Sequence, residues 1–233
     1  MADVSARVKS DRRTTRWDEH REQRRTELIE AAVRTIDRLG PDASIAEMAQ
    51  EAKASKPVLY RYFADKNELH AAVASWASAR VTDQMLPALT RPGAMRDRVA
   101  DAVDAYLRVI EEHPQVFQLL IHHRGEGDIL ATEKDSIAAA LAVLMGDTFR
   151  RLDLDAAGAE PWAHGLVGLG LSTGEWWLER RSMSRTAVGR YLSQLIWHAF
   201  AGIIEESGGS LADLDHISTP PTVVPLQEVR DDA

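Results

Sequence analysis

Residues 44–69 carry the signals for two short helices joined by a tight turn. Ser44 and Glu47 form an S-x-x-E capping box, in which each side chain bonds the backbone of the other residue at a helix start. Apolar residues then recur on one face of this helix: Ile45, Met48, Ala49 and Ala52. Because this face must be covered, a second element has to pack against it.

The second helix has Ser55 as its expected N-cap and Pro57 in its first turn, where proline's missing N–H had no intrahelical partner. Leu59 and Phe63 are four residues apart and should face the first helix. The side chains left outside are Lys56, Val58, Tyr60, Arg61 and Tyr62. Cations and phenols suit a groove lined by phosphates and base edges, so the pair is predicted to be a DNA-binding helix-turn-helix. The alternative is an ordinary pair of capped amphipathic helices.

A third helix should begin directly afterwards. Asp65 and Glu68 form another cap-and-return pair, with Lys66 at the N-terminal end. The apolar pattern continues without a helix breaker to about Met85, and Pro87 is expected to close the helix. A helix that starts beside the DNA-facing pair and runs into the second half would link the two halves mechanically.

The run A-K-A-S-K-P-V-L-Y-R-Y-F-A-D-K-N-E-L, residues 52–69, resembles the signature of TetR-type transcriptional regulators, A-G-V-S-x-x-T-L-Y-x-H/Y-F-x-S/D-K-E-x-L. The resemblance covers the two short helices and the start of the third, and its L-Y-x-Y-F-x-D-K core is specific. Together with the residues above, it predicts a set of DNA contacts. They are Arg24, Ser44, Ser55, Lys56, Val58, Tyr60, Arg61, Tyr62 and Lys66.

Lys53 departs from the family pattern, which usually has glycine at this position of the turn. If the turn needs a positive φ here, lysine would strain it by ~1 kcal/mol or more. Alternatively, the turn runs differently and Lys53 adds a phosphate contact.

The 233 residues are 45% hydrophobic and 27% charged, enough for one large or two small domains with a core. No apolar run approaches ~18 residues and the N-terminus has no apolar signal segment, so neither a membrane span nor a secretory signal is expected. The absence of cysteine excludes disulfides and thiolate metal sites and fits a reducing cytoplasm.

Charge is distributed unevenly. Residues 1–80 contain 15 lysines and arginines and 13 acidic residues, so this part carries +2 and the remainder carries −10 of the total −8. The acidic part is therefore remote in sequence from the predicted DNA-facing helix.

The N-terminus should behave differently from the helix that follows it. Residues 1–18 are polar and basic without periodicity and are expected to be a flexible arm. Two readings stay open for the arm: it follows the DNA backbone or minor groove, or it is simply solvated. Residues 19–39 show helical periodicity ended by Gly40. Arg21, Arg24 and Arg25 either pair within this helix or, as the resemblance implies, approach phosphate.

The rest of the chain is helical by period and length, so the fold class is all-α. The predicted helices are 95–112, 114–123, 133–152, 161–181 and 184–207. The domains are an arm (1–18), a helix-turn-helix domain (19–69), a ligand-binding and dimerisation domain (70–207) and a loosely attached tail (208–233).

The last two long helices are unusually apolar. GLVGLGLSTGEWW, residues 165–177, has four glycines that each disfavour a helix by about 1 kcal/mol, and close helix-helix approach is the usual compensation. Both helices are predicted to pair with their copies in a two-fold, four-helix interface, where TetR-like proteins also dimerise; the alternative is a central core. Interface residues are expected to be Leu166, Leu169, Trp177, Leu192, Leu195, Ile196, Phe200 and Ile203.

The resemblance also implies a ligand cavity between the middle helices. Core packing is the more common role of any one such residue; the candidate walls are Tyr106, Ile110, Phe117, Leu120, Ile121, Leu141, Leu144, Met145, Trp162 and Trp176. The ligand should be mostly apolar, with His122, His123 and Arg124 available for a headgroup such as carboxylate. TGEWWLERRSMSR and LIWHAFAGI resemble actinobacterial TetR-type regulators that respond to fatty-acid-like molecules.

Catalysis finds little support in the sequence. Glu111, Glu112 and His113, and the pair His122 and His123, lack HExxH spacing, and there is no GxSxG elbow or phosphate loop. Neither an enzyme nor a cofactor is expected.

The sequence thus predicts a homodimeric, ligand-responsive repressor that occupies operator DNA and is released when an effector shifts the third helix. The competing prediction is a helical small-molecule-binding protein that does not use DNA.

Overall fold

The computed structural model describes residues 3–122 and 131–216. Within these ranges the chain forms ten α-helices and no strand, so the predicted all-α class is confirmed. The helices are α1 (Asp3–Leu39), α2 (Ile45–Glu51), α3 (Lys56–Leu59), α4 (Lys66–Thr90), α5 (Met95–Glu112), α6 (Pro114–His122), α7 (Ala131–Arg151), α8 (Ala159–Arg180), α9 (Arg185–Glu206) and α10 (Leu211–His216).

The chain divides into two compact units, residues 1–76 and residues 77–233. Helices α1 to α3 belong to the first unit and α5 to α10 to the second, while α4 contributes residues to both. None of the helices in the described ranges has a stretch that is both long and apolar enough to cross a bilayer.

The core of the first unit is built from the apolar faces read in the sequence. Leu28 and Ile36 of α1, Met48 of α2, Leu59 of α3 and Phe63 are all buried. The buried positions recur at helical spacing because only one face of each helix packs against the core. The expectation that Leu59 and Phe63 turn inward is confirmed.

The second unit is organised by two long helix pairs, α7 against α8 and α5 against α9. One buried cluster contains Leu107, Ile110 and Phe117 with Trp177 and Leu192. A second cluster forms around Met145, Phe149, Ala163, Ile204 and Leu214.

Helix α1 begins much earlier than the sequence predicts. Residues 3–18 are its first part, so the expected loss of regular structure over residues 1–18 is wrong for them. The stretch from Asp3 to Leu39 contains no proline or glycine. Because extending an existing helix needs no new nucleus, weak apolar periodicity does not end it.

Two further boundaries correct the sequence prediction. Helix α4 passes Pro87 and ends at Thr90, whose hydroxyl donates to the Leu86 carbonyl over 2.9 Å. Its end is also held by Arg98, which donates to the Leu89 carbonyl over 3.2 Å. In the predicted tail, α10 forms because buried Leu214 joins the second cluster.

Candidate nucleic-acid interface

The start of α2 is fixed by the predicted capping box. The Ser44 Oγ accepts a hydrogen bond from the Glu47 N–H over 3.3 Å, and the Glu47 carboxylate accepts from the Ser44 N–H over 2.8 Å. The hydrogen bond from the Ser44 backbone is the main reason that the pKa of Glu47 is lowered. The Ser44 hydroxyl also donates to Glu47 over 2.7 Å, which competes with its predicted DNA contact.

Helix α2 ends in a Schellman motif. The Ala54 N–H donates to the Ala49 carbonyl over 2.9 Å, and the Lys53 N–H donates to the Gln50 carbonyl over 3.0 Å. This pair of bonds places Lys53 where glycine is preferred, and its φ is +49°. Of the two alternatives left open by the sequence, the structure therefore shows the strained turn.

The second helix of the pair is short. Helix α3 spans only Lys56–Leu59. After it, the backbone N–H of Tyr62 donates to the Leu59 carbonyl over 2.9 Å, which forms a tighter helical turn. Ser55 has extended backbone angles at the N-cap position, but its hydroxyl makes no capping bond. Tyr60, Arg61 and Tyr62 thus follow α3 rather than lie within it.

The side chains predicted to face DNA are at the surface. Tyr60 is 52% exposed, Lys56 and Arg61 are exposed, and Val58 and Tyr62 are half-buried. Buried Leu59 lies between them in sequence and anchors the segment to the core. We call the set Lys56, Val58, Tyr60, Arg61 and Tyr62 the outer ridge.

Arg24 shows one of the two environments left open by the sequence, pairing within its own helix. Its guanidinium is paired with Glu27 and donates to the Ala52 carbonyl over 3.3 Å. It therefore braces the end of α2, and its DNA contact stays a prediction. Arg25 lies over the Phe63 ring at 5.2 Å from the centroid, whereas Arg21 is exposed.

The start of α4 has the predicted cap at Asp65. The Glu68 N–H donates to the Asp65 carboxylate over 2.8 Å. The Glu68 carboxylate accepts a hydrogen bond from the Ala64 N–H. In a capping box the donor would be the N–H of Asp65, one residue later. Lys66 is half-buried, and its DNA contact stays a prediction.

In the second unit, exposed residues form a stripe along α8 and another along α9. The α8 stripe contains Gly165, Gly168, Ser172 and Trp176. The α9 stripe contains Tyr191, Leu195, His198 and Gly202. Apart from Ser172 and His198, these residues are apolar or glycine, and they recur at three- and four-residue spacing. Each helix therefore leaves a largely apolar strip uncovered in the single chain.

The glycines of α8 serve two different surfaces. A Cβ on Gly174 would lie 2.7 Å from the Tyr106 hydroxyl and 2.9 Å from both Ile110 and Phe117. A Cβ on Gly165 or Gly168 would meet no atom within 4 Å. Packing within the chain therefore explains Gly174, while it leaves the outer glycines unexplained.

Part of the predicted dimer interface lies inside the chain itself. Trp177 is only 1% exposed, and Leu192 is also buried, both in the cluster around Leu107. These two residues do not belong to the predicted interface, because residues of the same chain already bury their side chains. Leu195 is exposed, and Leu166, Leu169, Ile196, Phe200 and Ile203 are partly buried, so their interface role stays a prediction.

The predicted ligand walls separate into two groups. Tyr106, Ile110, Phe117 and Ile121 belong to the first cluster, and Leu141, Met145 and Trp162 belong to the second. Leu120 is half-buried and Leu144 is buried. The prediction that Trp176 lines the ligand cavity is corrected, because this residue is 38% exposed and lies on the outer stripe of α8.

Tyr106 is the polar group of the first cluster. Its hydroxyl donates to the Gly170 carbonyl over 2.8 Å, and burial raises its pKa well above the ordinary value for tyrosine. A ligand that accepts a hydrogen bond from this phenol would have to displace this bond, whereas one that donates to the phenol oxygen would not. The side chains of His122, His123 and Arg124, predicted to orient a headgroup, lie outside the described residues.

Two short helices, a tight turn between them and an exposed cationic ridge define a helix-turn-helix unit of the DNA-binding class. In the described part of the chain, no three histidine or acidic side chains are grouped so that they could hold a metal ion.

Comparison with known families agrees with this class. Residues 28–73 match the family described as bacterial regulatory proteins, tetR family, and residues 84–212 match the tetracyclin repressor-like C-terminal domain. The chain belongs to the TetR family of transcriptional regulators, as residues 52–69 predict. Regulators of this family are non-enzymatic, bind operator DNA and act as dimers.

Two relatives are similar over most of their length. The HTH-type transcriptional regulator Rv0472c of Mycobacterium tuberculosis strain H37Rv is 32% identical over 222 residues, 94% of each chain. The HTH-type transcriptional activator FasR of Mycolicibacterium smegmatis is 29% identical over 181 residues, 76% of this chain and 83% of that protein.

Solved structures show the same fold. A TetR-family regulator from Streptomyces coelicolor is 25% identical with a TM-score of 0.66 and covers 90% of this chain and 95% of its own. The fatty acid degradation regulator FadR of Bacillus halodurans, at 14% identity and a TM-score of 0.59, covers 73% of this chain and 93% of its own and shows the fold alone.

Proposed function

We propose that this protein is a homodimeric, ligand-responsive regulator that binds operator DNA through the outer ridge. The observation that carries this function is that Lys56, Tyr60 and Arg61 are exposed while Leu59 and Phe63 hold the segment to the core. The ridge thus presents two cations and phenol groups on a supported backbone. Arginine and lysine contact phosphates and guanine edges, and tyrosine hydroxyls contact phosphate oxygens.

Dimerisation is supported by the outer stripes of α8 and α9. Trp176, Tyr191 and Leu195 are large, exposed and apolar, and Gly165, Gly168 and Gly202 beside them have open space over their Cα atoms. Large side chains from one copy can lie over the glycines of the other, which permits close helix approach. A two-fold dimer would present two ridges to one duplex.

Two substitutions in the outer ridge test DNA binding. Arg61→Ala and Tyr60→Ala should each weaken binding by about ten-fold or more, because each removes a contact of about 1–3 kcal/mol if it reaches a base edge. Arg38→Ala is the matched control, since this exposed arginine lies in the same unit but pairs with Glu51 at 3.2 Å. Electrophoretic shift of duplex DNA from beside the protein's own gene measures the affinity.

Sedimentation of the same variants should show an unchanged dimer. If both ridge variants bind DNA as the wild type does, the ridge is not the DNA-binding surface. If the wild type binds no duplex at all, the competing function, a helical small-molecule-binding protein, replaces the regulator.

The effector we propose is a mostly apolar molecule of fatty-acid-like character. Support comes from the resemblance of residues 173–185 and 195–203 to regulators that respond to fatty-acid-like molecules, and the predicted walls Tyr106, Phe117 and Met145 lie in the hydrophobic clusters of the second unit. Mass spectrometry of the purified protein should reveal co-purified amphiphiles. Addition of such a molecule should lower DNA affinity, and unchanged affinity at saturation would overturn its role as effector.

The sign of regulation is proposed to be repression by operator occupancy. Activation is the second candidate, because the relative FasR is named a transcriptional activator. Transcription in vitro from a template carrying the bound site separates the two. Added protein should lower transcript yield if it represses, whereas a raised yield assigns activation.

A further inference from the structure

Lys53 has a backbone conformation that its side chain disfavours. The same pair of Schellman hydrogen bonds ends three helices, with Lys53, Asp153 and Gly208 at the left-handed position. Glycine takes this conformation freely, and aspartate is among the residues that tolerate it. Lysine has neither advantage, so the turn is less stable with Lys53 than it would be with glycine. Arg181, at φ +48°, shows that a long cationic side chain is tolerated in this region at a helix end.

The surroundings of Lys53 hold the strained turn in place. Arg24 donates to the carbonyl of the preceding residue, Ala52, over 3.3 Å, and the buried side chains of Met48 and Leu59 anchor the helices on either side. A conformation of this kind persists when the neighbouring structure determines it.

The side chain of Lys53 is exposed, and no carboxylate in the described ranges pairs with its ammonium group. Two residues later, the exposed Ser55 has a hydroxyl that makes no capping bond, and Lys56, the first residue of the outer ridge, follows. Lys53, Ser55 and Lys56 are thus three exposed hydrogen-bond donors within four residues, a set suited to binding a phosphate.

We propose that Lys53 is a phosphate-contacting residue of the DNA complex and that the turn gives up stability to place it there. This role rests on the DNA-binding function proposed above. Because a phosphate contact is independent of base sequence, Lys53 should contribute to affinity for every duplex and to its salt dependence.

The test replaces Lys53 with glycine and with arginine. Lys53→Gly should relieve the turn and raise Tm by about 2 °C. The same variant should bind a random-sequence duplex about ten-fold more weakly at 0.1 M salt, with a slope of log affinity against log salt that is smaller by about 0.9. Lys53→Arg should keep most of the affinity and slope, since it keeps the charge.

Asp153→Gly is the matched control, because it relieves the same motif in the second unit. It should raise Tm without changing DNA affinity. If Lys53→Gly binds with the affinity and slope of the wild type, the phosphate contact is refuted while the DNA-binding function stands. A Tm that falls in Lys53→Gly would contradict the strained turn, and a wild type that binds no duplex would overturn the DNA-binding function itself.

Discussion

Asp104 on α5 is the acceptor that links α5 to the start of α9. Arg185 of α9 donates to it, and Arg108 donates to it over 2.7 Å from one turn further along α5. Arg185 also pairs with Glu111 at 3.0 Å. Partial burial opposes ionisation of Asp104, but the hydrogen bonds from Arg108 and Arg185 outweigh it and hold its pKa below the ordinary value.

Asp104→Asn should therefore lower stability in a pH-dependent way. A depressed pKa means that the stabilisation is present above the ordinary carboxyl pKa of about 3.9 and is lost as the pH falls through the lower folded value. Because the pairs are partly exposed and screened, the expected loss is about 1–2 °C in Tm at pH 7. Thermal melts from pH 7 down through the carboxyl pKa range measure the difference in Tm, with Asp97→Asn, exposed on the same helix, as the control. If the difference in Tm between the wild type and Asp104→Asn does not shrink in acid, the stabilising role of the ionised Asp104 is contradicted.

Single residues also show where sequence reasoning succeeds and fails. The capping box of Ser44 and Glu47 is predictable because its hydrogen bonds join residues three apart. The brace from Arg24 to the Ala52 carbonyl is not, because it spans 28 residues and depends on how α1 lies against α2. A cluster of arginines on a helix is compatible with contacts to solvent, to phosphate or to another part of the chain.

For the helices, the sequence predicts that they form and where most of them are centred, but it does not predict all of their ends. Periodic apolar faces indicate α5, α7, α8 and α9 to within a few residues. The ends of α1 and α4 and the existence of α10 depend on tertiary contacts, such as burial of Leu214 and the bond from Arg98 to the end of α4. Likewise, the sequence shows that residues 165–177 are nearly uncharged, but only the packed structure separates Trp177, which faces the core, from Trp176, which is exposed.

The two glycine surfaces of α8 should respond oppositely to alanine. Gly174→Ala introduces a Cβ within 2.9 Å of three side chains, so it should destabilise the folded chain by about 1–3 kcal/mol. Gly168→Ala meets no atom of its own chain, so the folded protomer should gain up to about 1 kcal/mol from helix propensity. Denaturant unfolding measures both changes.

Gly168→Ala should also affect dimerisation. If α8 packs closely on its copy, Gly168→Ala should raise the dimer dissociation constant measured by sedimentation while the protomer stays folded. A dimer that is unaffected by Gly168→Ala would move the interface away from the outer stripe of α8.

The whole molecule combines two units with different charge and different surfaces. Residues 1–80 carry a slight positive balance and the outer ridge, while the remainder is acidic and carries the apolar stripes. If the outer ridge binds DNA as proposed, the negative charge of the remainder should repel phosphates and disfavour contacts by that part of the chain. The family and the class of site are readable from residues 52–69, because a helix-turn-helix depends on local caps and turns. The dimer surface and the ligand walls are not, because they depend on which face of each long helix the rest of the chain leaves uncovered.

The most direct measurement is selection of bound sequences from a random duplex pool, followed by sequencing. Two ridges held by a two-fold dimer should enrich an inverted repeat whose half-site centres lie about one helical turn, ~34–36 Å, or a multiple of it apart. Selection with Arg61→Ala should enrich the same repeat more weakly, with a relaxed preference at the base position that Arg61 reads. A pool that stays random with the wild type, or one that yields a single unrepeated half-site, would contradict a dimer that reads DNA through the outer ridge.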